Sequence, residues 1–345
     1  MVTDRQTRAM LAICTAILLA AALYFARSIF APFALALFTV AIVWPLQRAL
    51  EAKLPQVVAL LLTLALTAVV AVAVSSMVTW ALSVERQWLV GHAARFQTLY
   101  LEWARWLEEH EIFVVGPLSE RFDVAWLVRL FQTLVGHINT LLGFAVLAFV
   151  FMMLALLETG DFRERLAAAS KQAKGLDLAK VGEEIAAKFR KYMLVRTQMS
   201  ALTGFAVWGL ALISGLDLAP AWGIIAFVLN YIPFIGSFVA TLLPSLFAVA
   251  QFETWQDSLV VLLGMFAIQF AIGNYLEPLV AGKALSISPL AVVFAVFFFG
   301  FLWGMPGAFL GVPILIAIVA LCAHYPSTSW VAALLSGTPQ PREPK

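Results

Sequence analysis

Apolar runs long enough to cross a lipid bilayer recur along most of this sequence. A helix rises about 1.5 Å per residue, so roughly 20 apolar residues are needed to cross about 30 Å of hydrocarbon. The chain is 63% hydrophobic and only 12% charged. Its sequence does not show the alternation of apolar and polar residues that is typical of membrane barrels. These features predict an all-α integral membrane protein, polytopic, with about eight hydrophobic helical segments.

The distribution of apolar and amphipathic segments divides the chain into six regions. Amphipathic helices outside the bilayer core bury one face and keep the other polar, as in "LEWARWLEEHEIF" and "KVGEEIAAKFRKYMLVR". The predicted regions are membrane helices in 1–84, an amphipathic extracytoplasmic segment in 85–137, a membrane helix in 138–157, a basic cytoplasmic segment in 158–197, a transport core in 198–323 and a cytoplasmic tail in 324–345.

The positions of lysine and arginine predict the orientation, because basic loops stay on the cytoplasmic side. Region 158–197 carries nine of the 22 lysine and arginine residues, which places it inside. Counting the spans from there places 85–137 outside and both termini inside. The net charge of +2 is spread among the loops, so no nucleic-acid partner is expected, and the lipid bilayer is the predicted environment.

The segment Ala219–Ala250 would be about 48 Å long as one helix, too long for one upright crossing. It is broken in the middle at "IPFIG", where Pro233 and Gly236 lie beside polar Asn230 and Ser237. The halves are each too short to span, so a re-entrant hairpin accounts for both lengths.

A second segment, Ser288–Ala323, repeats this pattern and is broken at Gly304, Pro306 and Gly307. Each broken segment follows an intact span, and the topology makes the two units an inverted repeat. Inverted repeats with broken helices are typical of secondary transporters, where freed backbone groups bind substrate or ions. In a competing layout both broken segments cross fully.

Polar residues in the transport core form the candidate site. On the span before the second break, Gln269, Asn274 and Glu277 fall within about 140° at 3.6 residues per turn. A carboxylate inside a membrane span is costly and is by default a functional residue. Alternatively, Pro278 ends the helix near the headgroups and Glu277 is interfacial or salt-bridged. The candidate substrate- or ion-binding residues are Asn230, Pro233, Gly236, Ser237, Gln269, Asn274, Glu277, Trp303, Gly304, Pro306 and Gly307.

Two long motifs, "NYIPFIGSFVATLLPSLFAVAQ" and "GNYLEPLVAGKALSISPLAVVFAVFFFGFLWGMPGAFLGVP", resemble those of the autoinducer-2 exporter family of bacterial inner-membrane proteins. The resemblance covers nearly the whole chain. It implies a location in the bacterial inner (cytoplasmic) membrane and a homo-oligomeric assembly such as a pentamer. It also implies export of small molecules or ions, since some members are linked to autoinducer-2 release and others to sodium/proton antiport.

The sequence contains no GxxxxGK[ST] motif, so transport would be driven by a gradient rather than by ATP. No protease constellation is evident and no enzymatic activity is expected. The four histidines lack metal-ligand spacing, so neither a metal nor another cofactor is expected, apart from a transported or coupling H⁺ or Na⁺. We therefore predict a secondary transporter that exports a small polar metabolite such as autoinducer-2. A Na⁺/H⁺ antiporter, an ion channel and a membrane scaffold without transport are the alternatives.

Overall fold

The computed structural model describes residues 4–110, 133, 143–158, 178–281, 287–325 and 328–337. Within these ranges the chain is almost entirely helical and contains no strand, and a single isolated bridge pairs Ile287 with Ser336. The predicted all-α fold class is confirmed.

The described helices are numbered here in chain order. They are α1 Asp4–Phe25, α2 Arg27–Glu51, α3 Gln56–Gly91, α4 Ala93–Glu109, α5 Gly143–Glu158, α6 Leu178–Ile213, α7 Ala219–Leu229, α8 Ile235–Gln251, α9 Trp255–Ala271, a π turn Ile272–Leu276, α10 Glu277–Ala281, α11 Pro289–Trp303, α12 Met305–His324 and α13 Ser329–Leu335.

The chain divides into two compact units, each assembled from separate stretches. One unit contains both ends of the chain and is called the terminal unit, and the other is called the central unit. Helices α3 and α6 contribute residues to both. The terminal unit comprises the described residues within Met1–Thr67, Gly143–Leu194 and Ala281–Lys345, and the central unit those within Ala68–Leu142 and Val195–Val280.

In the terminal unit, α2 packs with α5 and the beginning of α3 around Leu60 and Met152. Pro45 lies inside α2 and lacks the N–H that would bond the carbonyl of Ala41. Arg190 on α6 supplies the missing donor, since its Nη1 lies 3.0 Å from the Ala41 oxygen. A long basic side chain therefore satisfies a backbone acceptor that the proline frees.

The second broken segment lies in the terminal unit as an antiparallel pair, α11 and α12, called hairpin H2. Their backbones approach closely, because a Cβ built on Gly311 would lie 2.8 Å from the Ala295 oxygen. Nearer the turn, Gly307 faces Phe299 in the same way. The break therefore reverses the direction of the chain instead of bending one long helix.

The first broken segment lies in the central unit as the pair α7 and α8, called hairpin H1. The ring centroids of Trp222 on α7 and Phe247 on α8 lie 4.8 Å apart. Both side chains belong to an apolar core that also contains Val207 of α6, Met265 of α9 and Leu89 of α3. Hairpin H1 is therefore packed between the two long helices and the span that follows it.

The helices have the lengths and composition of membrane segments. Much of their apolar surface is exposed: Phe294, Phe297 and Phe301 on α11 are 65%, 60% and 75% exposed, as suits side chains that face lipid. Among the described residues, four helices are long and apolar enough to cross a membrane, and five further apolar helices are shorter. The long ones are Arg27–Glu51, Gln56–Gly91, Trp255–Val280 and Met305–His324, and the shorter ones are Met10–Phe25, Gly143–Glu158, Ala219–Leu229, Ile235–Gln251 and Pro289–Trp303.

Some helix boundaries differ from those expected from the sequence. Helix α3 passes residue 84, the predicted end of the first membrane region, and continues to Gly91. Helix α6 joins the end of the basic segment 158–197 to the beginning of the predicted transport core in one 36-residue helix. A helix continues across a change from polar to apolar residues because neither kind of side chain breaks its backbone hydrogen bonds. Helix α13 lies in the predicted tail. Most of the predicted amphipathic segment after His110 lies outside the described residues.

Candidate functional site

The tip of hairpin H1 contains a strained turn. The N–H of Ile235 donates to the carbonyl of Pro233 at 2.7 Å, and the residue between them, Phe234, has φ 63° and ψ −59°. This is a γ-turn of the rare, strained hand, and positive φ at a residue with a bulky side chain is unusual. Backbone strain of this kind costs on the order of 1–3 kcal/mol and is concentrated at functional sites.

Gly236 follows this turn at a point where α8 touches the end of α7. A Cβ at this position would lie 1.8 Å from the carbonyl oxygen of Leu229, closer than any real contact. Glycine is thus required here by the close approach of two backbones. Ser237 is half-buried, and its carbonyl accepts a hydrogen bond from Thr241 Oγ1 at 3.0 Å.

An ion pair links α6 to the "NYLEP" segment of the central unit. Arg196 Nη1 lies 2.7 Å and 2.8 Å from the two carboxylate oxygens of Glu277. The Arg196 side chain is 5% exposed and that of Glu277 29%. Arg196 Nε is also buried and has no hydrogen-bond partner within the described part of the chain. The geometry is thus that of the salt-bridged alternative for Glu277, with one guanidinium donor unused.

Next to Arg196, two more polar contacts connect α6 with the tip of H1. Asn230 is buried, and its Nδ2 donates to Ser200 Oγ at 3.3 Å. The hydroxyl of Tyr231 donates to Thr197 Oγ1 at 2.9 Å. Ser200 follows Arg196 by four residues and Thr197 by three, spacings that place side chains on one side of a helix, so α6 presents a polar stripe to H1 and α10. We call these six residues the tip cluster: Arg196, Thr197, Ser200, Asn230, Tyr231 and Glu277.

A π turn, Ile272–Leu276, interrupts the span that leads to Glu277. Such turns insert one residue into a helical turn and are frequent at functional sites. The uniform helix assumed for the 140° arc is therefore not the observed one. Gln269 and Glu277 are half-buried, whereas Asn274 is exposed and its Nδ2 bonds the carbonyl of Phe270 in its own helix at 3.2 Å. Gln269 Nε2 is buried without a partner among the described residues.

In the terminal unit, the turn of hairpin H2 depends on two glycines. Gly304 has φ 69° and ψ −146°, a conformation that side chains with a Cβ rarely adopt. A Cβ on Gly307 would lie 1.9 Å from the Phe299 oxygen. Pro306 is at the start of α12, where a missing N–H does not disturb the helix. The indole N–H of Trp303 donates to the carbonyl of Leu23 at the end of α1, at 3.1 Å.

The predicted site residues thus belong to two separate units. The structure brings Asn230 and Glu277 into the tip cluster, and it places Pro233, Gly236 and Ser237 in the adjoining turn. Sequence analysis missed Thr197, Ser200, Tyr231 and the role of Arg196, which was counted among the basic loop residues. The spacing of Arg196, Thr197 and Ser200 on one helical side was the signal that could have revealed them.

Comparison with known proteins agrees with this architecture. The model of the AI-2E family transporter matches residues 13–327. The chain belongs to this family. The resemblance expected from the two C-terminal motifs is therefore confirmed, and with it a multi-pass membrane protein from a family of transporters.

Three curated relatives show how far the similarity extends. The AI-2 transport protein TqsA of Escherichia coli (strain K12) is 29% identical over 320 residues, which cover 90% of each chain. The putative transport protein YueF of Bacillus subtilis (strain 168) is 24% identical over 316 residues, 86% of this chain and 84% of its own. A putative transport protein of Borreliella burgdorferi is 30% identical over 211 residues, 60% of this chain and 55% of its own. All three relatives are thus named as transport proteins.

Proposed function

We propose that this protein is a gradient-driven secondary transporter that exports a small polar metabolite, with the tip cluster as part of its substrate site. The observation that carries the proposal is the ion pair of buried Arg196 with half-buried Glu277, beside the buried Asn230–Ser200 contact. Burying charged and polar groups in a membrane protein is costly, and such groups usually face a substrate or ion pathway. A membrane anchor for a scaffold requires no such cluster.

The tip of H1 also has features of a moving part. The γ-turn at Phe234 stores backbone strain, and the π turn lies just before Glu277. Broken helices in transporters place free backbone groups and polar side chains where a solute binds. A small polar solute could bind the unused Arg196 Nε and compete for the hydroxyl and amide groups of the cluster. Its binding would then favour one arrangement of H1 over another.

The relatives and the hairpins together support the proposed substrate class and topology. The E. coli relative is named for transport of AI-2, which supports a small metabolite such as autoinducer-2 as the cargo. We propose that H1 and H2 are re-entrant, that the basic segment 158–197 and both termini are cytoplasmic, and that the protein is a homo-oligomer in the inner membrane. An imposed H⁺ or Na⁺ gradient would supply the energy.

The test is counterflow in proteoliposomes containing the full chain, with autoinducer-2 as the probe, under imposed proton or sodium gradients. Ser200→Ala removes one hydroxyl of the cluster with little change of shape. Loss of one hydrogen bond is worth about 0.5–1.5 kcal/mol, so the half-saturation concentration should rise roughly twofold to tenfold. Glu277→Gln, which breaks the ion pair, should reduce flux more strongly.

Ser214→Ala is the matched control, because Ser214 directly follows α6 and its Oγ donates to the carbonyl of Leu210 in the last turn of that helix, away from the cluster. It should leave the half-saturation concentration unchanged. Saturable counterflow that is identical in all variants would remove the tip cluster from the site. Single-channel conductance would indicate a channel, and no flux of any probe would indicate a scaffold.

A further inference from the structure

A second carboxyl group, Glu85 on α3, is buried in the core of the central unit. Its side chain is 0% exposed, and so are Ala81 and Leu89, which lie one turn before and one turn after it on the same side of the helix. These neighbours pack in the apolar core with Val207 of α6 and Phe247 of α8. Glu85 is therefore surrounded by a region that otherwise contains apolar side chains.

Neither carboxylate oxygen of Glu85 has a hydrogen-bond partner among the described residues. The elements around this core do carry charged or titratable groups, but none of those described is bonded to Glu85. An isolated ionised carboxylate in an apolar core carries a very large desolvation penalty, whereas a neutral acid carries a far smaller one. The neutral form of the Glu85 carboxyl group therefore fits this core better than the ionised form. The other charged or titratable groups on or beside these elements include Arg86, His92, Arg95, Glu102, Arg105, Glu109, Arg196, Asp217, Glu253 and Asp257.

The chemistry of the surroundings favours a proton over a metal cation. Hard cations such as Ca²⁺ and Mg²⁺ need several oxygen ligands, and by the same chemistry Na⁺ would need more than one carboxyl group. Among the described residues, neither Glu85 oxygen has a hydrogen-bond partner and no cluster of metal-binding side chains is present. A proton requires only the carboxyl group itself.

The base of hairpin H1 packs against α3 close to Glu85 in the sequence. Trp88, three residues after Glu85, donates its indole N–H to Asp217 Oδ2 at 2.9 Å, and its ring lies 4.8 Å from that of Phe247. Gln251, at the end of α8, bonds both the Asp217 N–H and the Gly215 carbonyl at 2.8 Å. Asp217 is exposed. Movement of the base of H1 away from Trp88 would therefore loosen the packing of α3 one turn from Glu85.

We propose that Glu85 is the proton-binding site of the transporter. It holds one proton while α3 and the base of H1 are packed together, and it exchanges that proton with water when this contact opens. Proton binding at Glu85 would thus couple a proton gradient to the position of H1. The coupling rests on the proposed transport function, whereas the binding of a proton does not.

Infrared spectroscopy of the full chain in liposomes at neutral pH tests proton binding directly. Wild-type protein should show the C=O stretching band of a protonated carboxylic acid, and Glu85→Gln should lack it. Glu102→Gln, which changes an exposed glutamate on α4, should keep the band. In D₂O the band shifts as deuterium replaces the proton. Trp88→Phe, which removes the bond to Asp217, should accelerate this shift.

Transport measurements then test the coupling. Glu85→Gln should lose the accumulation driven by a proton gradient while retaining exchange of autoinducer-2 without a gradient, and Glu102→Gln should retain both. A wild-type spectrum without the protonated band would overturn the proposal, as would proton-driven accumulation in Glu85→Gln equal to wild type. If wild-type protein transports nothing, the proposed function fails, and the infrared band alone decides whether Glu85 binds a proton.

Discussion

Replacing Gly236 with alanine tests whether the tip of H1 has the geometry described. The added Cβ would lie 1.8 Å from the Leu229 oxygen, whereas ordinary van der Waals contact begins at 3.4 Å. Both partners belong to backbone, so no side chain can rotate away, and the two helices of H1 must separate by more than an ångström. Overpacking costs about 1–3 kcal/mol when neighbours can adjust, and this position should lie at or above the top of that range.

The assay combines thermal unfolding in detergent with counterflow in proteoliposomes. Gly236→Ala should lower the melting temperature clearly and reduce the rate of transport, because separation of α7 and α8 displaces Asn230 from Ser200. Gly209→Ala is the matched control, since Gly209 lies inside α6 and nothing is within 4 Å of an added Cβ. That substitution should be neutral or stabilising by about 0.5–1 kcal/mol.

Gly307→Ala extends the same test to hairpin H2. Its Cβ would meet the Phe299 oxygen at 1.9 Å, so a similar loss of stability is expected. If Gly236→Ala has the same melting temperature and transport rate as the wild type, the close approach of the two backbones is refuted. The assignment of the H1 tip to the site is then refuted with it.

Two further predictions concern topology and pH. A cysteine placed between Gln251 and Asp257 should react with an impermeant reagent from outside and one near Lys283 from inside, whereas reversed labelling would favour full spans over re-entrant hairpins. A hydrogen bond from Lys188, reinforced by nearby positive charges, holds the pKa of Glu184 below its usual range, so its stabilisation is present at neutral pH and is lost as pH falls through the folded-state pKa. Glu184→Gln should therefore lower the free energy of unfolding near pH 7 by no more than about 1 kcal/mol, because the pair is largely exposed. Thermal unfolding at several pH values measures this, and equal losses at neutral and acid pH would contradict it.

Much of the architecture could be predicted from the sequence because it depends on local properties of the chain. Apolar runs of sufficient length must form helices in a membrane, since backbone groups have no other partners there. The proline and glycine residues at 233, 236, 304, 306 and 307 predicted a break in each long segment, and the structure has its turns at these positions. The two motifs around these turns were also sufficient to identify the family.

The exact ends of the helices were less predictable. The change from polar to apolar residues near Gln198 was taken as the start of a span, yet α6 continues through it as one helix. Arg196 therefore resembled a loop charge, although it is buried in the central unit. A hydropathy pattern locates the membrane but does not show on which side of a continuous helix each polar residue lies.

The tertiary structure alone decided which polar groups meet. Glu277 is 81 residues from Arg196, and Asn230 is 30 residues from Ser200, so no local pattern relates the members of either pair. The same holds for Glu85. The sequence pattern places it in the amphipathic segment 85–137 outside the membrane, whereas the structure buries it completely. Local sequence determines where the backbone is helical and where it must turn, because those preferences act over a few residues. Burial and charge pairing depend on which distant helices pack together, and only the folded chain specifies that.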